Sequence, residues 1–163
     1  MDTLGTHLLV EYHGCDNALL NNLDALKNAL TEAAQAAGAT VVDTLFHRFC
    51  PQGSSGVVVI EESHLSIHTW PERGYAAIDF YTCGDAEPWQ AHLYLQGVLR
   101  PERSEILRVN RGLHDGESPS MEIVSHAIYA AEDVPVEDTR ASQRSVVGDS
   151  GESVRGPFPV AQQ

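Results

Sequence analysis

The stretch between Gly56 and Gly84 constrains the fold more than any other part of the chain, because it reads as three β-strands in close succession. Residues 57–61, 63–70 and 75–83 are rich in β-branched and aromatic side chains, which favour strands. Ser63 falls at the junction of the first two strands. A serine between two buried strands is unexpected unless its hydroxyl has a chemical role, so Ser63 is the first candidate for a reactive residue.

Six strands and two helices are predicted in total, and the strands are grouped rather than strictly alternating with the helices. This order favours an α+β fold, a two-layer α/β sandwich with a largely antiparallel sheet covered on one face by helices. The other face would need water or a partner subunit, because two helices cannot cover both sides. The remaining strands are predicted at residues 7–11, 39–50 and 105–109.

Capping residues predict the helix boundaries. Asp16 is suited to cap a helix that runs to about Ala37, with a stripe of leucines along one side. Asp85 is suited to cap a second helix, with Pro88 in its first turn and Pro101 at its end.

The length of 163 residues suffices for one domain with a substantial core. We assign residues 1–131 to this domain. Residues 132–163 are rich in Ser, Gly, Pro, Asp and Glu and poor in large apolar residues, which predicts a disordered tail without a catalytic role.

Composition limits the partners and the compartment. Ten basic and 23 acidic residues give a net charge of −13, which disfavours binding to nucleic acid or to an anionic membrane. No apolar run approaches the roughly 20 residues of a spanning helix, and the first residues lack the positive charge of a secretory signal. Three cysteines without paired spacing fit a reducing compartment. We therefore expect a cytoplasmic protein that acts on a small molecule.

Two kinds of cofactor chemistry are disfavoured by the same sequence. Lys27 is the only lysine and lies on a predicted helix surface, so a lysine Schiff base with pyridoxal phosphate is not expected. His64 and His68 have a metal-ligand spacing for a helix, but in the predicted strand that spacing is about 13 Å. We expect no metal site.

Glu62-Ser63, His68, Glu72 and Cys83 lie close together in the sequence, shortly after Ser55. This set resembles the self-cleaving core of the prokaryotic S-adenosylmethionine decarboxylases, which are pyruvoyl enzymes of spermidine biosynthesis. The resemblance spans residues 4–113 and is densest between positions 55 and 84. One departure is His13-Gly14, where an aromatic and an acidic residue would be expected near the substrate.

The resemblance implies that the chain cuts itself. The Ser63 hydroxyl would attack the Glu62 carbonyl and turn the amide into an ester, and elimination would then separate residues 1–62 from residues 63–163. The residue left at position 63 would become a pyruvoyl group. Its ketone would form a Schiff base with the substrate amine and accept the electrons released as carbon dioxide leaves.

The resemblance also implies roles for the neighbouring side chains. His68 and Ser55 would serve the cleavage, and Cys83 would protonate the substrate carbon. Phe49 and Glu72 would bind the substrate, the ring stacking on adenine and the carboxylate accepting hydrogen bonds from ribose. From the residues alone, plainer roles stay open: a structural histidine at His68, a small buried hydrophobe at Cys83, a core residue at Phe49 and a turn residue at Glu72.

Strand geometry separates two of these residues. If residues 63–70 are extended, five steps of about 3.3 Å put His68 roughly 16 Å from Ser63 and on the opposite face. Either the strand bends sharply or His68 serves the Ser63 of another protomer in a symmetric homodimer. The resemblance implies shared sites: one subunit would supply the pyruvoyl residue and Cys83, and its partner would supply Phe49, Ser55, His68 and Glu72.

Two other functions stay open at this point. The same pyruvoyl chemistry could act on a basic amino acid, arginine or ornithine, and the departure at His13-Gly14 bears on that choice. Alternatively, the chain could be an acidic binding module that keeps the fold but does not cleave.

Overall fold

The computed structural model of this protein describes residues 4–113 and 121–131. Its strands are β1 (Gly5–His13), β2 (Thr40–Arg48), β3 (Ser54–Glu61), β4 (Ser63–Trp70), β5 (Tyr75–Cys83), β6 (Arg103–Arg111) and β7 (Glu122–Ala130). They form one antiparallel sheet in the order β2-β3-β4-β5-β1-β6-β7. The strand that ends at Cys83 is therefore central, and the strand that begins at Ser63 lies beside it.

Three helices pack on one face of this sheet. They are α1 (Asn17–Leu20), α2 (Leu23–Ala36) and α3 (Pro88–Leu99), and a short 3-10 helix, Pro71–Arg73, joins β4 to β5. Helices and strands share a single apolar core, in which strand burial alternates: in β5, Ala76, Ile78 and Phe80 are buried. Alternation of this kind is what buries one face of an antiparallel sheet. The predicted α+β two-layer sandwich is confirmed.

The second face of the sheet, which we call the open face, carries no helix within residues 4–113 and 121–131. Around Asp79 its side chains are polar and contact one another. Ser66 Oγ donates to Asp79 Oδ2 at 2.8 Å, and His7 Nε2 lies 3.3 Å from Asp79 Oδ1. The bond from His7, helped by the bond from Ser66, holds the pKa of Asp79 below its usual value against desolvation. The open face thus carries paired polar groups around Asp79, together with exposed apolar side chains such as Val59 and Trp70.

The first predicted helix is wrong in one respect, because residues 16–37 form two helices. Asp16 caps α1 as expected, through a hydrogen bond from Leu19 N at 3.0 Å. The break follows at Asn21 and Asn22, and the side chain of Asn22 caps α2 by accepting a bond from Ala25 N at 3.1 Å. Asparagine competes with the helix for backbone hydrogen bonds, which explains why the pair ends one helix and caps the next.

Several other boundaries also differ from the predictions, among them those of β1, β2 and β3. The N-cap of α3 is Glu87, not Asp85, because Pro88 occupies the first helical position and the preceding residue becomes the cap. β6 extends beyond residues 105–109 in both directions, and β7 was not predicted. The predicted disordered tail, residues 132–163, lies outside the described residues.

No helix in the described ranges is long and apolar enough to cross a membrane. Lys27 is exposed on α2, as expected for a solvated lysine.

A buried tyrosine–histidine pair lies between β1 and α3. Tyr12 Oη is 2.7 Å from His92 Nδ1 and 3.1 Å from the His92 carbonyl oxygen. The exposed fractions of the two residues are 0% and 1%. Burial raises the pKa of Tyr12 and lowers the pKa of His92 to about 4, so both groups are neutral at physiological pH.

We expect this pair to make the fold sensitive to mild acid. An unfolded His92 takes up a proton near pH 6.5 and the folded one only near pH 4, so the unfolded state binds more protons between these values. The stability that depends on a neutral His92 is complete above pH 6.5 and falls by about 2 kcal/mol on going from pH 7.5 to pH 5. Urea unfolding of the uncleaved Ser63→Ala chain at both pH values, at one protein concentration, measures this loss. His92→Phe should reduce the loss by that amount, and an equal loss in both proteins would contradict the assignment.

Candidate functional site

The predicted cleavage site lies in the tight connection between β3 and β4. Ile60 pairs with Ser63 in the antiparallel ladder, which leaves only Glu61 and Glu62 between them. Ser63 has a φ of +132°, a backbone conformation that residues other than glycine rarely adopt. Holding a residue in such a conformation destabilises the folded chain by about 1–3 kcal/mol. The peptide bond predicted to break therefore directly precedes a serine with a strained backbone.

The carbonyl group of Glu62 is held by the backbone of Cys83. The N–H of Cys83 donates to Glu62 O at an N···O distance of 3.4 Å, next to the pair formed by Ser63 and Thr82 in the β4–β5 ladder. A donor in this position stabilises the negative charge that develops on a carbonyl oxygen under nucleophilic attack. The fold thus brings together Glu62, Ser63 and Cys83, which we call the cleavage cluster.

A second group of predicted residues meets further along the same strands. Ser55 and His68 lie directly opposite each other in β3 and β4, and Ser55 Oγ is 2.6 Å from His68 Nδ1. This hydrogen bond fixes the plane of the imidazole ring and occupies one of its nitrogens. The ring can then exchange a proton through Nε2.

A groove of 220 Å³ opens beside this histidine. Phe49, whose exposed fraction is 48%, and Glu72 line the groove together with Ser55 and His68. The amide of Gln52 donates to Glu72 Oε2 at 3.1 Å. The plainer reading of Phe49 as a core residue is therefore wrong, because its ring is half exposed. We call Phe49, Ser55, His68 and Glu72 the groove cluster.

Sequence reasoning missed four residues that line this groove, which are Gln52, Ser54, Thr69 and Trp70. The Trp70 ring is 40% exposed, and its centroid lies 6.3 Å from that of His68. Its position two residues after His68 on a strand was a usable signal, because such residues share a face. The sequence gave no such indication for Gln52, because this residue lies in a turn and reaches the groove only once the strands have paired. An open depression of 510 Å³ adjoins the groove and shares Gln52 and Glu72 with it.

The cleavage cluster and the groove cluster stay apart within one chain. β4 pairs with β5 without interruption from Ser63, opposite Thr82, to Trp70, opposite Tyr75. An extended strand places His68 roughly 16 Å from Ser63. The sharp bend, which was one of the two arrangements left open by the sequence, does not occur.

The three thiols differ in their surroundings. Cys15 is buried, and burial raises its pKa to about 12, so it stays protonated and unreactive. Cys50 is exposed, whereas Cys83 is partly buried beside the scissile carbonyl. Cys83 is therefore the thiol that the fold places beside the predicted chemistry.

Metal ligation is not suggested by the arrangement of the described residues. No group of three or more His, Cys, Asp or Glu side chains in that part of the chain could hold a metal ion. His64 and His68 lie on the extended β4, and the first packs edge-on against Tyr81 while the second bonds to Ser55.

Comparisons with known proteins address the family directly. Residues 6–112 match the family model described as S-adenosylmethionine decarboxylase. The S-adenosylmethionine decarboxylase proenzymes of Fervidobacterium nodosum and Caldicellulosiruptor saccharolyticus are each 49% identical to this chain over 116 residues, which is 71% of this chain and 85% and 94% of theirs. The crystal structure of the adenosylmethionine decarboxylase from Aquifex aeolicus matches with a TM-score of 0.66 and 36% identity, over 74% of this chain and 100% of that one. The chain therefore belongs to the S-adenosylmethionine decarboxylase family.

Proposed function

We propose that this protein is a self-processing, pyruvoyl-dependent decarboxylase that converts S-adenosylmethionine into the decarboxylated aminopropyl donor of spermidine biosynthesis. The observation that carries the proposal is the cleavage cluster, in which a serine with positive φ follows a carbonyl that accepts a hydrogen bond from Cys83. We place the enzyme in the cytoplasm, where its three free thiols stay reduced.

The first reaction cuts the chain between Glu62 and Ser63. Ser63 Oγ attacks the Glu62 carbonyl carbon, and the N–H of Cys83 stabilises the oxygen as it becomes negative. The acyl group moves from the Ser63 nitrogen to its oxygen, so the amide becomes an ester. The torsion angle φ of Ser63 is defined in part by the peptide C–N bond to Glu62. The shift breaks that bond, and the backbone strain at Ser63 is released.

Removal of the Cα proton of residue 63 then expels the Glu62 carboxylate, which becomes the end of the chain 1–62. The dehydrated residue left at position 63 tautomerises and adds water. Loss of ammonia then gives a pyruvoyl group at the start of chain 63–163. His68 is the group suited to exchange protons in these steps, and Ser55 orients its ring.

The pyruvoyl group, once formed, supplies a ketone that withdraws electrons from the substrate during loss of carbon dioxide. Position 63 fits this role because it starts a strand and lies next to Cys83 in the sheet, whose N–H donates to the Glu62 carbonyl. Cys83 carries out the remaining step, in which a proton is delivered to the substrate carbon.

The groove cluster binds the nucleoside part of the substrate. The half-exposed ring of Phe49 offers a face on which adenine stacks. Glu72 accepts hydrogen bonds from the ribose hydroxyls, and Gln52 holds one carboxylate oxygen so that the other points to the ligand. The strongly acidic chain also favours the approach of a substrate that carries a sulfonium charge.

Complete sites form between two copies of the chain. The separation of Ser63 from His68 along β4 supports this arrangement, because neither cluster contains all the groups that the reaction needs. In a twofold homodimer, the cleavage cluster of each protomer meets the groove cluster of its partner, which gives two equivalent sites.

Release of carbon dioxide from three candidate substrates tests the proposal. We expect the purified protein to release carbon dioxide from carboxyl-labelled S-adenosylmethionine and not from arginine or ornithine. Intact mass measurement should find chains 1–62 and 63–163, the second lighter than a serine-terminated chain by the mass of ammonia. Release from arginine or ornithine alone would replace the proposed substrate. One uncut chain without any release would instead favour the acidic binding module.

A further inference from the structure

We propose that Tyr81 is a positioning residue for Cys83: its phenol hydroxyl hydrogen-bonds to the thiol and fixes the sulfur that delivers the proton. The inference rests on the proposed function, in which Cys83 is the proton donor. It adds a residue to that site for which neither the family resemblance nor the groove gave a role.

The first support is the contact itself. Tyr81 and Cys83 are two residues apart on β5, so their side chains share the open face of the sheet. The interaction of the hydroxyl with Cys83, together with burial, raises the pKa of Tyr81. The hydroxyl therefore keeps its proton at neutral pH and can donate it to sulfur.

Gly5 provides the space in which these two side chains meet. It lies directly opposite Cys83 in the β1–β5 ladder. A Cβ atom at Gly5 would be 2.8 Å from Tyr81 Cε2 and 3.0 Å from Cys83 Sγ, which are closer than side chains normally approach. The missing side chain on β1 thus lets the phenol ring and the sulfur converge on one point.

Neighbouring strands hold the ring of Tyr81 in place. The guanidinium carbon of Arg111 lies 4.5 Å from the ring centroid, a cation–π contact, and opposes the rise in the pKa of Tyr81. The rings of His7 and His64 lie 5.4 and 6.0 Å away. Arg111 Nη1 also reaches His7 Nδ1 at 3.2 Å, which ties β6 to β1 around the tyrosine. Three strands therefore fix the position of the hydroxyl.

A fixed partner matters for a thiol more than for most proton donors. The Cys side chain has three staggered rotamers, and its S–H group is a weak hydrogen-bond donor that does not select among them alone. A hydroxyl held by neighbouring strands favours one of these rotamers. Since small errors in the placement of reacting groups lower rates steeply, a thiol released from this partner should protonate the substrate more slowly.

Tyrosine titration in the uncleaved Ser63→Ala chain tests the contact without any need for activity. With ring-labelled tyrosine, NMR should show that Cys83→Ala moves the titration of Tyr81 to lower pH, because the bond that raises its pKa is removed. Tyr94, which is partly buried on α3 and bonded to Glu32, should not respond. An unchanged titration of Tyr81 would overturn the inference.

Kinetics of the processed enzyme test the consequence. Tyr81→Phe should cleave normally and lower kcat for decarboxylation about tenfold with KM unchanged, since only the proton transfer is affected. Tyr94→Phe is the matched control and should behave as the parent. Equal kcat in the two variants would overturn the positioning role, whereas a parent that neither cleaves nor decarboxylates would remove the proposed function and the role of Cys83 with it.

Discussion

Replacing Ser63 with alanine is expected to leave one uncut chain of 163 residues and to lower decarboxylation at least about a thousandfold. Alanine lacks the oxygen that attacks the Glu62 carbonyl, so the ester cannot form. Without the cut there is no ketone to accept electrons from the substrate, and no other residue can take over this role. Denaturing electrophoresis and intact mass measurement should show two chains for the parent and one for Ser63→Ala.

The matched control for this variant is Ser125→Ala, because Ser125 is exposed on β7, away from both clusters. It should cleave and decarboxylate like the parent. Circular dichroism should show that Ser63→Ala is folded, so that its inactivity reflects the missing hydroxyl. If Ser63→Ala still gave chains 1–62 and 63–163, or if it released carbon dioxide at the parental rate, the serine would have no part in the mechanism.

The strands were predictable where one face of the sheet is buried. Residues 63–70 and 75–83 were assigned with the bounds that the structure has, because burial of alternate residues leaves a period-two pattern in the sequence. β7 left no such pattern, since nearly all its residues, on both faces, remain exposed. The helix break at Asn21 and Asn22 was hidden by the leucine stripe that continues through it.

In the functional site, too, the residue types could be predicted from the local sequence, whereas the contacts between strands could not. Residue types and the family resemblance indicated Ser63, His68 and Cys83, but a single strand does not reveal what lies across from it. The register of the sheet brings Ser55 to His68, and it brings the N–H of Cys83 to the scissile carbonyl. These contacts depend on the pairing of distant residues, which only the folded chain defines.

Two defective copies of the chain are expected to restore cleavage when they are combined. His68→Ala alone should slow cleavage about 10²- to 10⁴-fold, the usual contribution of a positioned general acid or base. Ser63→Ala alone should not cleave, but it retains an intact groove cluster. In a mixed dimer, the Ser63 of the His68→Ala copy faces the intact His68 of its partner, so that copy should cleave at close to the parental rate.

Co-expression with tags of different mass identifies the copy from which each fragment comes. The fragments should derive only from the His68→Ala copy, because the other copy has no nucleophile. The control pairs His68→Ala with a copy that carries both substitutions, and this mixture should stay slow because neither protomer offers a histidine. If the first mixture is as slow as the control, His68 acts on its own chain or not at all. The extended β4 would then have to deform during cleavage, because the ladder from Ser63 to Trp70 holds the two residues apart in one protomer.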